Sequence, residues 1–370
     1  MSTPSKGLED VIVTSSRLTL IDGVSGSLRY GGYDIAELTD KATFEEVIYL
    51  LLHGDLPNRR ELNDLNERLS IDRAIPSQII SLIGGFPKDA LIMDILRTSV
   101  SALSSYDSNL GDNSHDAIIR KSIRLLAKMT TIVASAERLR NGLEPIPPSK
   151  ELDHASNFLY MLKGEVPDES SRKAFGGCLV LHADHELNAS TFASRVTAST
   201  LSDVYSAVTS AIGTLKGPLH GGANEAVMEM LETIGSPERV EPFIKKALGE
   251  KKRIMGFGHR VYKTIDPRAV ILRKLSKELA ENQGTELYKI SAAIEETMRL
   301  EKNLNPNVDF YAASVYHMLG IPTHLFTPIF ACSRVAGWSA HILEQYQNNR
   351  LIRPRADYVG HQSRKYISPE

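Results

Sequence analysis

The sequence predicts a mainly α-helical protein, all-α in class, with a small β piece near the N-terminus. Apolar residues recur at the 3.6-residue period of an amphipathic helix through most of the chain. Short runs typical of strands, separated by turn residues, occur only between residues 11 and 33. No internal repeat of fixed period is present, which disfavours a solenoid.

Two helices have clear boundaries in the sequence. Apolar positions between 119 and 133 lie on one helical face, and the Asn-Gly pair at 141–142 provides a C-terminal cap. A second helix begins after Thr43, whose spacing to Glu46 is that of a capping box, and ends at Gly54. Similar patterns predict helices at about 59–70, 89–104, 151–163, 171–184, 202–215, 223–234, 267–282, 286–301, 309–319 and 328–346.

The predicted β piece consists of the segments VIVT, RLTL and SLRYGGYD within residues 11–33. The pair Asp22-Gly23 supplies a turn that suits a hairpin between the last two segments. We therefore expect short antiparallel strands there.

Composition excludes several classes of protein. The charge sum is −2, so no overall basic field attracts nucleic acid or anionic lipid, and neither a nucleic acid nor a membrane is expected as a partner. Cys178 and Cys332 are far apart, which excludes a disulfide framework and a thiolate zinc site. No apolar run approaches the ~20 residues that span a bilayer, and MSTPSKGLED lacks the apolar stretch of a secretory signal. We expect a cytoplasmic protein in a reducing compartment.

At 370 residues the chain is long enough for two or three domains. Glycine and proline interrupt the helical pattern at 217–222 and at 320–328. These interruptions predict a large helical domain made of residues 1–221 and 325–370, with a small domain of residues 222–324 inserted between its two parts.

Four polar clusters fall beside these interruptions, and the second contains His220. This histidine lies where a Gly/Pro-rich turn leads into a helix, close to free backbone N–H groups, which favours a neutral imidazole. A neutral ring can donate a hydrogen bond to a carbonyl that is becoming an enolate. The alternative is a histidine that only caps the helix. The clusters are HADHE (182–186), GPLHGGANE (217–225), MGFGHRVYKTIDPR (255–268) and NPNVDFY (305–311).

The third cluster places a histidine, His259, among basic residues. Its flanking glycines allow a ligand to approach the backbone, and Arg260, Lys263 and Arg268 follow within ten residues. A solvated charged loop is the alternative. Arg268, however, stands in a DPR motif at a helix start, where a small anion would be well placed.

Asp309, in the fourth cluster, opens a helix among apolar residues. It is either a simple N-cap or, if partly buried, a general base whose pKa is raised by desolvation. The first cluster has two histidines that would share a helix face, but the order is not HExxH and no third metal ligand is evident. A histidine that bonds a substrate oxygen is therefore favoured over zinc.

Two further arginine positions stand out near the C-terminus. Arg334 lies in a helix that otherwise looks buried, so it needs an anionic partner. Arg353 and Arg355 lie in a proline-containing tail, where exposure to solvent is the plain expectation.

Taken in order, these clusters resemble citrate synthases. The resemblance covers about residues 17–360 and implies a mostly helical homodimer with a small domain that closes over the active site. The matching strings are SRLTLIDGVSGSLRYGGYDI, ATFEEVIYLLLHGDLP, HADHELNASTF, GPLHGGANEAV, MGFGHRVYKTIDPRA, NPNVDFY and PIFACSRVAGWSAHILEQ, ending in RLIRPRADYVG.

The resemblance also implies a role for each matching residue. Asp309 would take a proton from the methyl of acetyl-CoA, His220 would bond the thioester oxygen, and His259 would polarise the ketone of oxaloacetate and protonate the alkoxide. The residues that would bind oxaloacetate are His185, Arg268, Arg334 and Arg353, the last lent by the neighbouring subunit. Those that would contact coenzyme A phosphates are Arg260, Lys263 and Lys302. The thioester is a co-substrate, and no permanently bound cofactor and no metal are implied.

Several alternatives share these motifs. A 2-methylcitrate synthase that uses propionyl-CoA, or a dual-specificity enzyme, differs by one methylene, worth about 0.8 kcal/mol in transfer. A citryl-CoA-cleaving lyase is disfavoured by the full-length large domain. A catalytically silent helical dimer is disfavoured because the base, both histidines and the arginines are all present.

Overall fold

The computed structural model describes residues 5–8, 11–259 and 261–369. Over these residues the chain is mainly helical, as predicted, with one small sheet. The helices are α1 (Ile35–Lys41), α2 (Phe44–His53), α3 (Arg59–Asp72), α4 (Ser77–Gly84), α5 (Ile92–Leu103), α6 (His115–Arg140), α7 (His154–Lys163), α8 (Glu169–His182), α9 (Ala189–Ser199), α10 (Val204–Leu215), α11 (Ala223–Ile234), α12 (Val240–Gly249), α13 (Pro267–Gln283), α14 (Leu287–Lys302), α15 (Val308–Met318) and α16 (Phe326–Gln347).

The helix boundaries follow from local capping. Thr43 Oγ1 accepts the Glu46 N–H at 3.2 Å while Glu46 Oε2 accepts the Thr43 N–H at 2.7 Å, which is the predicted capping box of α2. Gly54 ends that helix in the left-handed conformation. All helices predicted from periodicity are present, whereas α1, α4, α9 and α12 were not predicted.

The sheet is a three-stranded antiparallel meander in the order β1 (Thr19–Asp22), β2 (Ser27–Tyr30) and β3 (Tyr33–Asp34). The prediction of a strand at VIVT is wrong. Residues 11–13 are exposed and no described strand lies beside them, so their β-branched side chains have no sheet face to cover.

Two long helices form the centre of the core. α6 and α16 pack against each other, and α16 also contacts α2, α8, α9 and α10. α16 is buried around almost its whole circumference, as expected of a central helix. Among the described residues no helix is long and apolar enough to cross a membrane.

Helices α11 to α15 pack mainly against one another, with contacts between α11 and α15, between α12 and α14, and between α13 and α15. α13 and α15 also contact α8. The chain then returns through α16 to α6. The division into residues 1–221 with 325–370 and residues 222–324 stays a prediction.

α16 approaches the loop after α8 very closely at Gly337. Its N–H bonds the Ala183 carbonyl at 3.0 Å. A Cβ at this position would lie 2.3 Å from Asp184 Oδ1 and 2.5 Å from that carbonyl. Only glycine therefore allows α16 to hold the loop that continues to His185.

We predict that Gly337→Ala lowers the free energy of unfolding by about 1 to 3 kcal/mol, because the clash is with backbone and a buried carboxylate. Denaturant unfolding at fixed protein concentration measures this. The matched control is Gly176→Ala in α8, where the added Cβ meets its nearest neighbour at 3.9 Å. It should be neutral or stabilising by up to about 1 kcal/mol. Equal effects in the two variants would contradict the prediction.

Candidate active site

Six of the predicted site residues come from loops and helix starts that converge. His185 follows α8, His220 precedes α11, and His259 lies in the loop before α13. Arg268 and Asp309 stand in the first turns of α13 and α15, and Arg334 is in α16. Two of the six residues, Arg268 and Arg334, carry buried guanidinium groups. One or both of these positive charges act to lower the pKa of each of the other four.

The first of these guanidinium groups belongs to Arg268, which is buried and ion-paired. Its Nε and Nη2 donate to Asp266 at 3.0 and 2.8 Å. Asp266 also caps α13 through the Arg268 N–H, and Pro267 occupies the first helical position. The motif that predicted an anion site at this helix start thus already supplies one internal carboxylate.

The second guanidinium group belongs to Arg334, which is buried as predicted. Its Nε donates to the His182 carbonyl at 2.6 Å, and its guanidinium carbon lies 4.6 Å from the centre of the Phe330 ring. Burial lowers the pKa of Arg334 to about 10, against the opposing effect of Asp184. It is still a cation at neutral pH.

A short backbone pairing joins the residues just before His259 to those just before Asp309. Phe257 forms an antiparallel bridge with Pro306, the Gly258 N–H donates to Asn305 O at 3.0 Å, and the Asn307 N–H donates to Gly256 O at 2.9 Å. The sequence assigns both flanking glycines to a ligand's approach, but Gly256 serves packing instead. With φ at 82°, its Cβ would lie 2.8 Å from Val227 and 2.9 Å from Phe310.

Backbone donors determine the tautomer of His259. Its Nδ1 accepts the N–H groups of Val261 and Tyr262 at 3.0 and 3.2 Å, so Nδ1 carries no proton. Burial and Arg268 lower the pKa of His259 to about 4. The ring is therefore neutral at pH 7 and offers Nε2–H as a donor.

His220 is held in the opposite tautomer. Its Nε2 accepts the Ser190 N–H at 3.3 Å and lies 2.9 Å from Ser190 Oγ, which leaves the proton on Nδ1. Trp338 Nε1 donates to the same Oγ at 3.1 Å. Burial, followed by Arg334, lowers the pKa of His220 to about 4. The ring is neutral as predicted, but the causes are burial and a guanidinium rather than the helix start.

Asp309 is not an N-cap, because Asn307 fills that position and accepts the Asp309 N–H at 3.0 Å. Its Oδ1 is buried and has no hydrogen-bond partner among the described residues. Burial raises the pKa of Asp309 to about 6, against the opposing fields of Arg268 and Arg334. The predicted upward shift of this carboxyl pKa is confirmed.

His185 lies beside His259, with ring centres 5.2 Å apart. The prediction that His185 shares a helix face with His182 is wrong, because α8 ends at His182. The His182 ring is used inside the protein, with Nδ1 2.8 Å from the Cys178 carbonyl. Burial together with Arg268 holds the pKa of His185 well below its usual value. No group of three His, Cys, Asp or Glu suited to a metal occurs in the described chain.

Three other predicted binding residues do not join this cluster in the described chain. Lys263, Lys302 and Arg353 are exposed, and within the described residues none of their side chains forms a hydrogen bond or ion pair. Arg260 lies outside the described residues.

A family model described as "Citrate synthase, C-terminal domain" matches residues 7–355. The chain belongs to the citrate synthase family. It is 52% identical to "Citrate synthase 2" of Bacillus subtilis, over 100% of this chain and 99% of the relative. It is 42% identical to "Citrate/2-methylcitrate synthase" of the same organism, over 96% of each chain.

A solved citrate synthase from Thermoplasma acidophilum superposes on this chain with a TM-score of 0.94, at 36% identity, covering 100% of this chain and 99% of that one. That structure is described as a ternary complex of "Carboxymethyl Coenzyme A and Oxalateacetate" with citrate synthase. Membership of the citrate synthase family makes this chain an enzyme of the transferase class, and it explains why the polar clusters converge.

Four residues of this citrate synthase family site were missed by sequence reasoning. Ser190 orients His220, Asp266 pairs with Arg268, and Asn307 Nδ2 donates to the Gly258 carbonyl at 3.1 Å. The fourth is Tyr262, whose ring lies against both His185 and His259. All four lie inside the quoted strings, but Ser190 is thirty residues from its partner, so its sequence position gave no signal of that contact.

Proposed function

We propose that the protein is a citrate synthase, which condenses acetyl-CoA with oxaloacetate and water to give citrate and CoA. One observation carries the proposal: a buried carboxylate with a pKa raised to about 6 shares a site with two neutral histidines of opposite tautomer. A carbon acid beside a thioester needs this combination of a base and separate hydrogen-bond donors.

Asp309 is the proposed base for the methyl of acetyl-CoA. Its buried Oδ1 has no described partner, so it is available to a proton, and its raised pKa brings it closer to that of a weak carbon acid. The Nδ1–H of His220 then donates to the thioester oxygen as the enol forms. Because the His220 ring stays neutral, the developing oxyanion meets a hydrogen bond rather than a full positive charge.

The enol then attacks the ketone carbon of oxaloacetate. We assign the Nε2–H of His259 to the ketone oxygen, which it polarises and protonates as the alkoxide forms. His185, Arg268 and Arg334 hold the two carboxylates, since charge-assisted hydrogen bonds are worth roughly 1.5 to 3 kcal/mol each. The product citryl-CoA is hydrolysed in the same site.

Closure of residues 222–324 over oxaloacetate would exclude water and protect the thioester from premature hydrolysis. Arg260 and the exposed residues Lys263 and Lys302 are proposed to contact the coenzyme A phosphates, with the thioester as co-substrate and no permanently bound cofactor. Both cysteines are buried free thiols, which supports a reducing compartment such as the cytoplasm, and we place the reaction in the tricarboxylic acid cycle.

The test is release of free CoA thiol from acetyl-CoA and, in parallel, from propionyl-CoA, each with and without oxaloacetate. We expect release that depends on oxaloacetate, with kcat/KM about 10-fold or more higher for acetyl-CoA. A higher value for propionyl-CoA would replace the proposal by 2-methylcitrate synthase, and similar values would indicate dual specificity, as in the relative named for both activities. Release without oxaloacetate, or none at all, would contradict condensation.

We predict that Asp309→Asn lowers kcat by about 10² to 10⁴, because the amide cannot accept the proton. Oxaloacetate binding, measured by calorimetry, should persist. In the wild-type protein activity should fall as pH drops through about 6, where the base becomes protonated. The residual activity of the variant should lack this step. Full turnover in Asp309→Asn, or the same pH step in both proteins, would disprove the assignment.

We also propose a homodimer in which Arg353 completes the oxaloacetate site of the neighbouring subunit. In the single chain this arginine is exposed and lies in an extended tail beyond α16. A tail of this kind is free to reach a second copy.

Arg353→Ala should raise KM for oxaloacetate, whereas the matched control Arg355→Ala, an exposed arginine of the same tail, should not. A purified mixed dimer of Arg353→Ala and Asp309→Asn chains should recover about half of the wild-type activity, since one of its two sites is intact. The assay uses oxaloacetate near the wild-type KM, where Arg353→Ala is impaired. A mixed dimer with no more than the mean activity of its two parents would show that each site uses arginine from its own chain.

A further inference from the structure

Tyr262 is a buried tyrosine whose hydroxyl has no partner in the described chain. The residue is 4% exposed, and its oxygen is fully enclosed. Burying a hydroxyl without a hydrogen bond is costly, so such a group in a native protein indicates a water or a ligand. By contrast, the hydroxyls of Tyr30 and Tyr205 are bonded inside the protein.

Tyr262 and Tyr316 both have a buried hydroxyl without a described partner, but their rings have different neighbours. The Tyr316 ring packs in the core against Phe175 and Phe326. The Tyr262 ring instead lies 4.7 Å from His259 and 5.7 Å from His185, centre to centre. His185 Nε2 is likewise buried without a described partner. Two unsatisfied polar atoms thus belong to neighbouring rings of the site.

The charges of the site indicate that a bound dicarboxylate also needs a neutral hydrogen-bond donor. The Nε and Nη2 edge of Arg268 is taken by Asp266, which offsets much of its positive charge. A dicarboxylate that enters therefore needs hydrogen bonds in addition to the arginines. The charged groups that act on Tyr262 are this same Arg268 and Asp266. Burial, with Asp266 in support, holds the phenol pKa well above its usual value, so the hydroxyl keeps its proton as a donor.

We propose that the Tyr262 hydroxyl is a further substrate-contacting group, which donates a hydrogen bond to a carboxylate of oxaloacetate between His185, His259 and Arg268. The inference rests on the proposed function and extends it. Tyr262 also donates its backbone N–H to His259 Nδ1 at 3.2 Å. One residue would thus set the tautomer of the ketone-polarising histidine and bind the substrate that this histidine activates.

The test is Tyr262→Phe, which keeps the ring and removes the hydroxyl alone. Calorimetry with oxaloacetate and with (S)-malate, which shares both carboxylates but lacks the ketone, should show Kd raised about 10-fold or more for both ligands. KM for oxaloacetate should rise in parallel, while KM for acetyl-CoA stays unchanged. Tyr160→Phe on α7 is the matched control and should leave both Kd values unchanged, and melting temperatures check that each variant is folded.

Unchanged Kd values in Tyr262→Phe, with a wild-type protein that binds both ligands, would overturn this inference and leave the proposed function standing. Weaker binding of oxaloacetate alone would place the hydroxyl on the ketone and overturn the carboxylate assignment. An effect on acetyl-CoA alone would overturn it as well, by placing the hydroxyl on the thioester. A wild-type protein that binds neither dicarboxylate would overturn the proposed function and this inference together.

Discussion

The buried ion pair between Arg268 and Asp266 is the interaction on which the rest of the site depends. Both side chains are about 2% exposed or less, and two hydrogen bonds join them. A lone guanidinium at this depth would be costly, whereas a paired one supplies a stable positive field. That field lowers the pKa of His259 and limits the rise that burial imposes on the pKa of Asp309. Burial and this ion pair thus act together on the protonation of His259 and Asp309.

The backbone contributes as much as the charges. Pairing of residues 256–258 with 305–307 joins the loop of His259 to the helix start of Asp309, although about fifty residues separate them in sequence. The close approach of Gly256 to Phe310 leaves no room for a side chain there. The position of the His259 loop relative to the helix start of Asp309 therefore follows from main-chain hydrogen bonds rather than from flexible side chains.

Sequence reasoning succeeded where the signal is local. The capping box at Thr43, the start of α13 and the raised pKa of Asp309 all follow from neighbouring residues and burial. It failed where tertiary contacts decide. The small, polar residues of α9 show no clear apolar stripe, yet the helix forms because it packs on α10 and α16. The Ser190 contact with His220 likewise exists only in the folded chain.

The electrostatics give a physical reason for ordered binding under the proposed mechanism. In the free enzyme Arg268 and Arg334 oppose the effect of burial on Asp309 and keep its pKa near 6. A bound dicarboxylate would offset both guanidinium charges, and a nearby negative charge raises the pKa of a carboxyl group. The base would therefore strengthen only after oxaloacetate has entered and water has been excluded. Acetyl-CoA that arrived first would meet the weaker base, which limits enolisation without an acceptor.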